Sequence, residues 1–215
     1  FKTDFMKKES SLLQLILSLT LITLIAGAAL AFVYDITYDK IAQSKEQKKQ
    51  EAINAVLTGF DKQSGKIESK RTLLNGDVDS VTVHLAYMND QLFGAAVETF
   101  TDKAFSGKFT IMVGFDAEGV VLGTDVLEHS ETPGLGDKIN KKKDENFSPQ
   151  FVGMNPAEKS LKVVQDGGDV VAITAATISS RAFCDAVERS HKAFSTLKAV
   201  NADSQQTCEK EVVNE

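Results

Sequence analysis

A long uncharged stretch at residues 11–34 limits most strongly how this chain can fold. Its length matches the ~20 apolar residues that a helix needs to cross a bilayer. A cleaved signal peptide is the alternative, because Ala-x-Ala occurs at 26–28 and at 29–31. The apolar stretch runs past both sites and exceeds the ~7–15-residue core of a signal peptide. The sequence therefore predicts a retained transmembrane helix over 11–34, surrounded by lipid, after an N-terminal tail over 1–10.

Lysines on both sides of this predicted helix bear on its orientation. Lys7 and Lys8 lie directly before it, whereas Lys40 and Lys45 lie beyond it and among acidic residues. The positive-inside rule therefore favours a cytoplasmic N-terminus, with the following residues on the outer face of the membrane. Small residues at 26–29 would let another helix approach closely.

The remaining residues are enough for one compact domain. The net charge of −6 and the lack of a basic stripe argue against a nucleic-acid partner. Apolar periodicity over 35–59 predicts a membrane-proximal helix, and the polar stretch 60–78 is the best candidate for a loop. We therefore divide the rest of the chain into that helix, a domain over 60–200 and a polar C-terminal tail over 201–215.

Alternating apolar residues predict consecutive strands in this domain. The clearest alternation is Val81, Val83, Leu85 and Tyr87. Further strands are predicted at 92–99, 108–115 and 120–128, with a hairpin turn at 116–119 and short apolar segments at 147–151 and 161–164. Strands followed by a terminal helix indicate an α+β fold with an antiparallel sheet and flanking helices. A dinucleotide fold is excluded, because no Gly-x-Gly-x-x-Gly follows a first strand.

Residues 174–180 (TAATISS) are small or hydroxyl-bearing and lie between a predicted buried strand, 170–173, and a predicted helix, 180–194. The apolar face of that helix is Phe183, Val187 and Phe194. Hydroxyls just before a helix usually cap its free backbone N–H groups. The same N–H groups and the helix dipole also favour a phosphate. From the spacing alone, a cap and a phosphate site both remain open.

Two earlier segments complete the set of motifs. Residues 131–138 (ETPGLGDK) contain a proline and two glycines, which by themselves are typical of a turn that ends a strand. Residues 105–107 (FSG) precede another predicted strand.

In this order, together with the apolar N-terminal helix, the three segments resemble the G subunit of Rnf-type electron-transport complexes. They resemble more distantly the C subunit of the sodium-translocating NADH:quinone oxidoreductase. In that family the pattern Ser/Thr-Gly-Ala-Thr-x-Thr/Ser carries FMN, esterified through its phosphate to the second threonine. The resemblance covers nearly the whole chain, and it implies that Thr177 carries a covalent FMN.

The resemblance also implies further contacts. Thr132 and Leu135 would touch the flavin ring, and Glu131 and Lys138 would make polar contacts. The full set of candidate cofactor-binding residues is Ser106, Gly107, Glu131, Thr132, Gly134, Leu135, Gly136, Lys138, Thr174, Ala175, Ala176, Thr177 and Ser179.

Two positions depart from the family pattern. Ala175 stands where the family usually has glycine, and Val171 stands where it usually has an acidic residue, the nearest acid being Asp169. An alanine is tolerable at such a position unless the backbone needs a positive φ. Loss of the acid would weaken recognition by the enzyme that attaches the flavin.

The function implied by the resemblance is electron relay. The chain would be one component of a bacterial inner-membrane complex that couples electron flow between ferredoxin and NAD to ion transport, with its soluble domain on the outer, periplasmic face. Its partners would be the other membrane subunits and a flavin-attaching transferase. The sequence offers no acid–base constellation for an organic substrate, which suits a relay. The alternatives are a membrane-anchored reductase-like flavoprotein and a scaffold subunit without flavin.

The histidines and cysteines suggest no other chemistry. His84, His129 and His191 do not have the spacing of metal ligands. Cys184 and Cys208 are too few for a disulfide framework. We interpret Cys184 as a small core residue, although a bridge between the two cysteines remains possible in an oxidising compartment.

Overall fold

A computed structural model describes residues 12–61, 64–74, 80–89, 91–140 and 146–212, the last twelve or so as backbone only. The chain divides into two compact units, residues 1–47 and 48–215. The first helix, α1 (Leu12–Val56), contains a segment that is long and apolar enough to cross a membrane. Within it, the hydroxyls of Thr20 and Thr23 donate to carbonyls one turn earlier in the helix. These polar groups are thus satisfied inside the helix, as a lipid environment requires.

The second unit is built on a five-stranded antiparallel sheet whose spatial order equals its chain order. Its strands are β1 (Gly65–Leu73), β2 (Ser80–Met88), β3 (Gln91–Thr101), β4 (Phe109–Asp116) and β5 (Val121–Glu128). Among the described residues that follow, 3-10 turns lie at Gly136–Ile139, Ser148–Phe151 and Val164–Asp166, before helix α2 (Thr177–Val212). The α+β fold class, with an antiparallel sheet flanked by helices, is confirmed.

The sheet has a hydrophobic core on each face. One face packs against α2 and the loops after β5, where Phe183, Val187 and Phe194 are almost fully buried, as predicted. The other face packs against the last turns of α1, through Ile53 and Val56. That helix approaches the sheet closely, because a side chain at Gly114 would collide with the backbone of Val56.

Two predictions about strands are wrong. Residues 60–78 contain β1 rather than only a loop, because charged side chains along this edge strand conceal its alternation in the sequence. Residues 170–173 do not form a strand: Val170 makes one isolated bridge, to Val163. The next residue, Val171, is held by a side-chain amide, since its N–H donates to Oε1 of Gln150 at 2.8 Å. Strand-like residues without a neighbouring strand therefore remain irregular.

The helices run longer than their predicted cores. The predicted membrane helix and membrane-proximal helix form one continuous helix that ends at Val56. Helix α2 begins at Thr177, before the predicted start, and continues into residues 201–212 of the predicted polar tail. The earlier start makes Thr177 the first residue of the helix.

Candidate functional site

A cavity of about 340 Å³ brings the three sequence motifs together. It is lined by Phe105, Glu131, Thr132, Leu135, Gly136, Ala175, Ala176, Thr177, Ile178 and Ser179. These residues come from the β3–β4 loop, from the loop after β5 and from the start of α2. The volume lies in the lower part of the ~300–1,000 Å³ range of small-molecule pockets.

A tight turn over 173–176 leads the chain into α2. The N–H of Ala176 donates to the carbonyl of Ile173 at 3.0 Å, and Ala175, third in the turn, has a φ of 61°. A positive φ at the third position is the requirement of a type II turn, and glycine normally meets it. The alanine methyl is thus accommodated in a backbone conformation that L-residues rarely adopt.

The buried hydroxyl of Ser180 holds this turn in place. The hydroxyl oxygen accepts a hydrogen bond from the N–H of Ile173 at 3.0 Å, and the O–H donates to the carbonyl of Ala176, also at 3.0 Å. Both ends of the turn are therefore fastened to the first turn of α2.

No side chain among the described residues caps the start of α2. The N–H groups of Thr177, Ile178 and Ser179 have no hydrogen-bond acceptor in that part of the chain, and the residue before the helix is Ala176. The capping interpretation is therefore wrong for the hydroxyls of this motif. Free N–H groups at a helix N-terminus attract anions, and here they belong to residues that line the cavity.

The hydroxyl of Thr177 differs from those of Thr174 and Ser179 in its position and its hydrogen bonding. It lines the cavity, is only half-buried, and makes no hydrogen bond within the described residues. The hydroxyl of Ser179, by contrast, is buried and bonded to Glu131. Thr174 is exposed and does not line the cavity.

A second turn, over 132–135, borders the same cavity. The N–H of Leu135 donates to the carbonyl of Thr132 at 3.2 Å, and Gly134, third in the turn after Pro133, has a φ of 78°. Proline second and glycine third are the preferred residues of a type II turn. Gly134 thus shapes the loop without lining the cavity itself.

Glu131 connects all three segments. It is 5% exposed, and its Oε1 accepts a hydrogen bond from the N–H of Ser106 at 2.9 Å. Its Oε2 accepts a hydrogen bond from the hydroxyl of Ser179 at 2.5 Å. Gly136 lies against the same carboxylate, because a Cβ there would collide with Oε2 of Glu131. One buried side chain thus joins the β3–β4 loop to the start of α2.

Two ion pairs involve residues of α2 that follow those lining the cavity. Arg181 donates two hydrogen bonds of 2.7 Å to the carboxylate of Asp166, and these bonds lower the pKa of that carboxyl. Lys103 contacts Asp185 at 2.6 Å.

On α2, burial raises the pKa of Cys184 to about 12, so its thiol stays protonated in the core. The side chain of Cys208 lies outside the described residues.

Most of the sequence-predicted site residues meet at the cavity. Glu131, Thr132, Leu135, Gly136, Ala175, Ala176, Thr177 and Ser179 line it, whereas Ser106, Gly107, Gly134, Lys138 and Thr174 do not. Ser106 contributes its backbone N–H to Glu131, and Gly107 has a φ of 95° at the end of its turn.

Two lining residues were absent from the predicted site. Phe105 is 68% exposed and Ile178 is 48% exposed, so both present large apolar surfaces at the cavity. Each lies next to a predicted site residue, Ser106 or Thr177. A useful signal in the sequence would have been a large apolar residue inside a run of small and polar ones.

Comparisons with known proteins identify the family of this chain. Residues 105–192, which include every lining residue, match the FMN-binding domain family. The chain is 35% identical to the G subunit of the ion-translocating oxidoreductase complex of Aliivibrio fischeri (strain ES114) over 193 residues, covering 86% of this chain and 88% of that protein. It is 31% identical to the protein of the same name from Shewanella oneidensis (strain MR-1) over 201 residues, covering 90% and 94%.

Proposed function

Because this chain belongs to the family of G subunits of ion-translocating oxidoreductase complexes, we propose that it relays electrons through an FMN bound covalently to Thr177. The observation that carries the proposal is the start of α2, where uncapped N–H groups and the Thr177 hydroxyl line one cavity of an FMN-binding domain. The larger complex would couple electron transfer between ferredoxin and NAD to the movement of ions.

The cavity has features that fit FMN. Free N–H groups at the start of α2 suit the phosphate. Phe105, Leu135 and Ile178 provide apolar surface for a planar ring. Gly136 lies in close contact with the Glu131 carboxylate, because a Cβ at this position would collide with Oε2 of Glu131. The phosphate end and the ring end of the ligand thus have chemically distinct surroundings.

The residues of the chain would divide the work as follows. The Thr177 oxygen would replace a leaving group on the phosphorus of an activated flavin donor, and its proton would leave with that group or pass to solvent. The N–H groups of Ile178 and Ser179 would hold the phosphate oxygens. When bound, FMN supplies the redox chemistry, and the protein sets its position and surroundings.

A fixed cofactor suits a relay better than an enzyme with a diffusing substrate. The carboxylate of Glu131, an acid at the cavity, already has both oxygens bonded to protein. The cavity is open at Phe105 and Leu135, both substantially exposed, so a redox partner could approach the ring there. These features favour electron exchange with neighbouring proteins over acid–base chemistry on an organic molecule.

The apolar part of α1 would anchor the chain in the bacterial cytoplasmic membrane, with the flavin domain on the outer face. Its partners would be the lipid bilayer, the other subunits of the complex and a flavin-attaching transferase. Val171 is 63% exposed, and Ala175 is exposed at the turn before Thr177, so a transferase could contact both residues.

These same two positions motivate one of the alternatives, a scaffold subunit that carries no flavin. Ala175 adopts a positive φ at the position where the family usually has glycine. The structure accommodates this alanine through the Ser180 hydrogen bonds, so the turn is formed despite the substitution. We therefore favour the flavin-bearing function over the scaffold.

The test is flavin fluorescence of the full chain after denaturing electrophoresis. The protein would be produced together with the family's flavin-attaching transferase, and separately without it. We expect a fluorescent band only with the transferase, and a peptide containing Thr177 that is heavier by one flavin phosphate. A dark band beside a fluorescent control flavoprotein would favour the scaffold. Flavin that is released on denaturation would favour the reductase-like alternative.

A further inference from the structure

The role of Glu131 follows from what its carboxylate already contacts. Both oxygens accept hydrogen bonds from protein, one from the Ser106 N–H at 2.9 Å and one from the Ser179 hydroxyl at 2.5 Å. The side chain is 5% exposed, and a buried carboxylate is tolerated only when such partners compensate the loss of water. Each oxygen thus already holds one hydrogen bond from the protein, so the carboxylate is fixed between the β3–β4 loop and the start of α2.

Each of these two bonds comes from a serine that directly follows a large apolar residue lining the cavity. Ser106 directly follows Phe105, and Ser179 directly follows Ile178. Phe105 and Ile178 both line the cavity from separate parts of the chain. The Glu131 carboxylate therefore sets how far the β3–β4 loop lies from the start of α2.

Glycine at position 136 shows that the carboxylate has little freedom. A Cβ at this position would collide with Oε2 of Glu131 and would lie 3.0 Å from the Ser179 oxygen. The loop is also attached to α2 by the ion pair between Lys103 and Asp185, but Lys103 is exposed to solvent, and such pairs contribute little. The connection through Glu131, by contrast, is buried and joins the two segments at the cavity itself.

We propose that Glu131 is a positioning residue that clamps the aromatic wall at Phe105 against the start of α2 and so sets the width of the flavin slot. The proposal rests on the proposed function, because it assigns Glu131 a part in building that site. It differs from a polar contact to the flavin, since here the carboxylate acts through Ser106 and Ser179.

The experiment compares variants of the full chain that break the clamp in different ways. Glu131→Ala removes both acceptors, whereas Glu131→Gln keeps the shape and can still bond both groups, with its amide donating to the Ser179 oxygen. Gly136→Ala leaves Glu131 intact but displaces its carboxylate. Glu118→Gln, in the exposed turn between β4 and β5, removes the same charge away from the cavity and serves as the control.

Two quantities are measured for each variant: the rate of FMN attachment by the transferase, and the affinity for free FMN in a Thr177→Ala background. We expect Glu131→Ala and Gly136→Ala to lower both on the order of tenfold, as the loss of hydrogen bonds to a charged group predicts. The attachment rate and FMN affinity of Glu131→Gln should lie between those of these variants and those of the unmodified chain. Glu118→Gln should match the unmodified chain in both quantities. The visible circular dichroism of bound flavin should change in the two clamp variants.

The outcomes separate this inference from the proposed function. If the unmodified chain takes up no FMN, the proposed function itself fails. If it does, but Glu131→Ala matches it in attachment, affinity and flavin dichroism, the clamp is refuted. A defect in Glu131→Ala with normal behaviour of Gly136→Ala also overturns it, because the carboxylate would then act on the flavin directly. If far-ultraviolet dichroism shows that Glu131→Ala misfolds, Ser179→Ala takes its place, because it removes only one of the two bonds. Its attachment rate and FMN affinity must then fall below those of the unmodified chain, by less than the tenfold expected for Glu131→Ala.

Discussion

Two turns border the cavity, and they share one hydrogen-bond pattern. In each, the fourth residue donates its N–H to the carbonyl of the first, and the third has a positive φ. The turn over 132–135 has Pro133 and Gly134 at its centre, whereas the turn over 173–176 has Thr174 and Ala175. The first sequence prefers this conformation by itself, while the second does not.

The difference teaches where each turn gets its stability. Pro133 fixes its own φ and Gly134 has no Cβ to oppose a positive φ, so local residues are sufficient. The turn at Ala175 depends on its surroundings, chiefly on the Ser180 hydroxyl that bonds both of its ends. One turn is therefore encoded locally, and the other is imposed by the helix that it precedes.

The largest expected effect separates the two threonines of these turns. Thr132 begins the first turn and Thr177 follows the second, and both line the cavity. Thr177→Ala should abolish covalent FMN completely, because the attaching oxygen is removed, whereas Thr132→Ala should keep the bond and change only the flavin potential. In-gel fluorescence and a redox titration measure the two properties. Covalent flavin in Thr177→Ala would exclude this attachment site.

Leu135 gives a second contrast on the same loop. Leu135→Ala removes apolar surface from the cavity wall, so we expect a shifted flavin potential or a more accessible ring, with the covalent bond retained. Quenching of the flavin by iodide measures accessibility. If both potential and quenching match the unmodified chain, this loop does not contact the ring.

Ser180→Ala should produce the largest loss of stability. It leaves the buried N–H of Ile173 without its acceptor, which costs about 2 kcal/mol. Urea unfolding of the detergent-solubilised chain measures the loss, and Ser195→Ala, at an exposed position of the same helix, is the control. A loss no greater than that of the control would mean that the turn at Ala175 does not depend on Ser180.

The smallest effects come from exchanging the third residues of the turns. Gly134→Ala should destabilise the chain by about 1 kcal/mol, because alanine resists a positive φ although space for its methyl is available. Ala175→Gly should stabilise it by roughly 0.5–1 kcal/mol for the reverse reason. The same urea experiment measures both. If both substitutions change the free energy of unfolding in the same direction, the comparison between the two turns is contradicted.

The sequence predicted a strand correctly where the residues of that strand alone show the apolar alternation. The alternation of Val81, Val83 and Leu85 predicted β2, because these residues are buried on one face, whereas Thr82 and His84 on the other are only half-buried. The same reasoning failed for β1, whose charged edge position hides the pattern. It failed again at Val170, where the apolar run makes a single isolated bridge, to Val163, within the described residues.

The sequence by itself determined the apolar helix, the run of strands, the Pro-Gly turn and the hydroxyl-rich motif, because each depends on residues close together in the chain. Only the tertiary structure decided that Ala175 takes a positive φ and that α2 begins uncapped at Thr177. It also decided that Glu131 bonds Ser106 and Ser179, which lie 25 and 48 residues away. These features depend on packing between distant segments, for which local spacing carries no information.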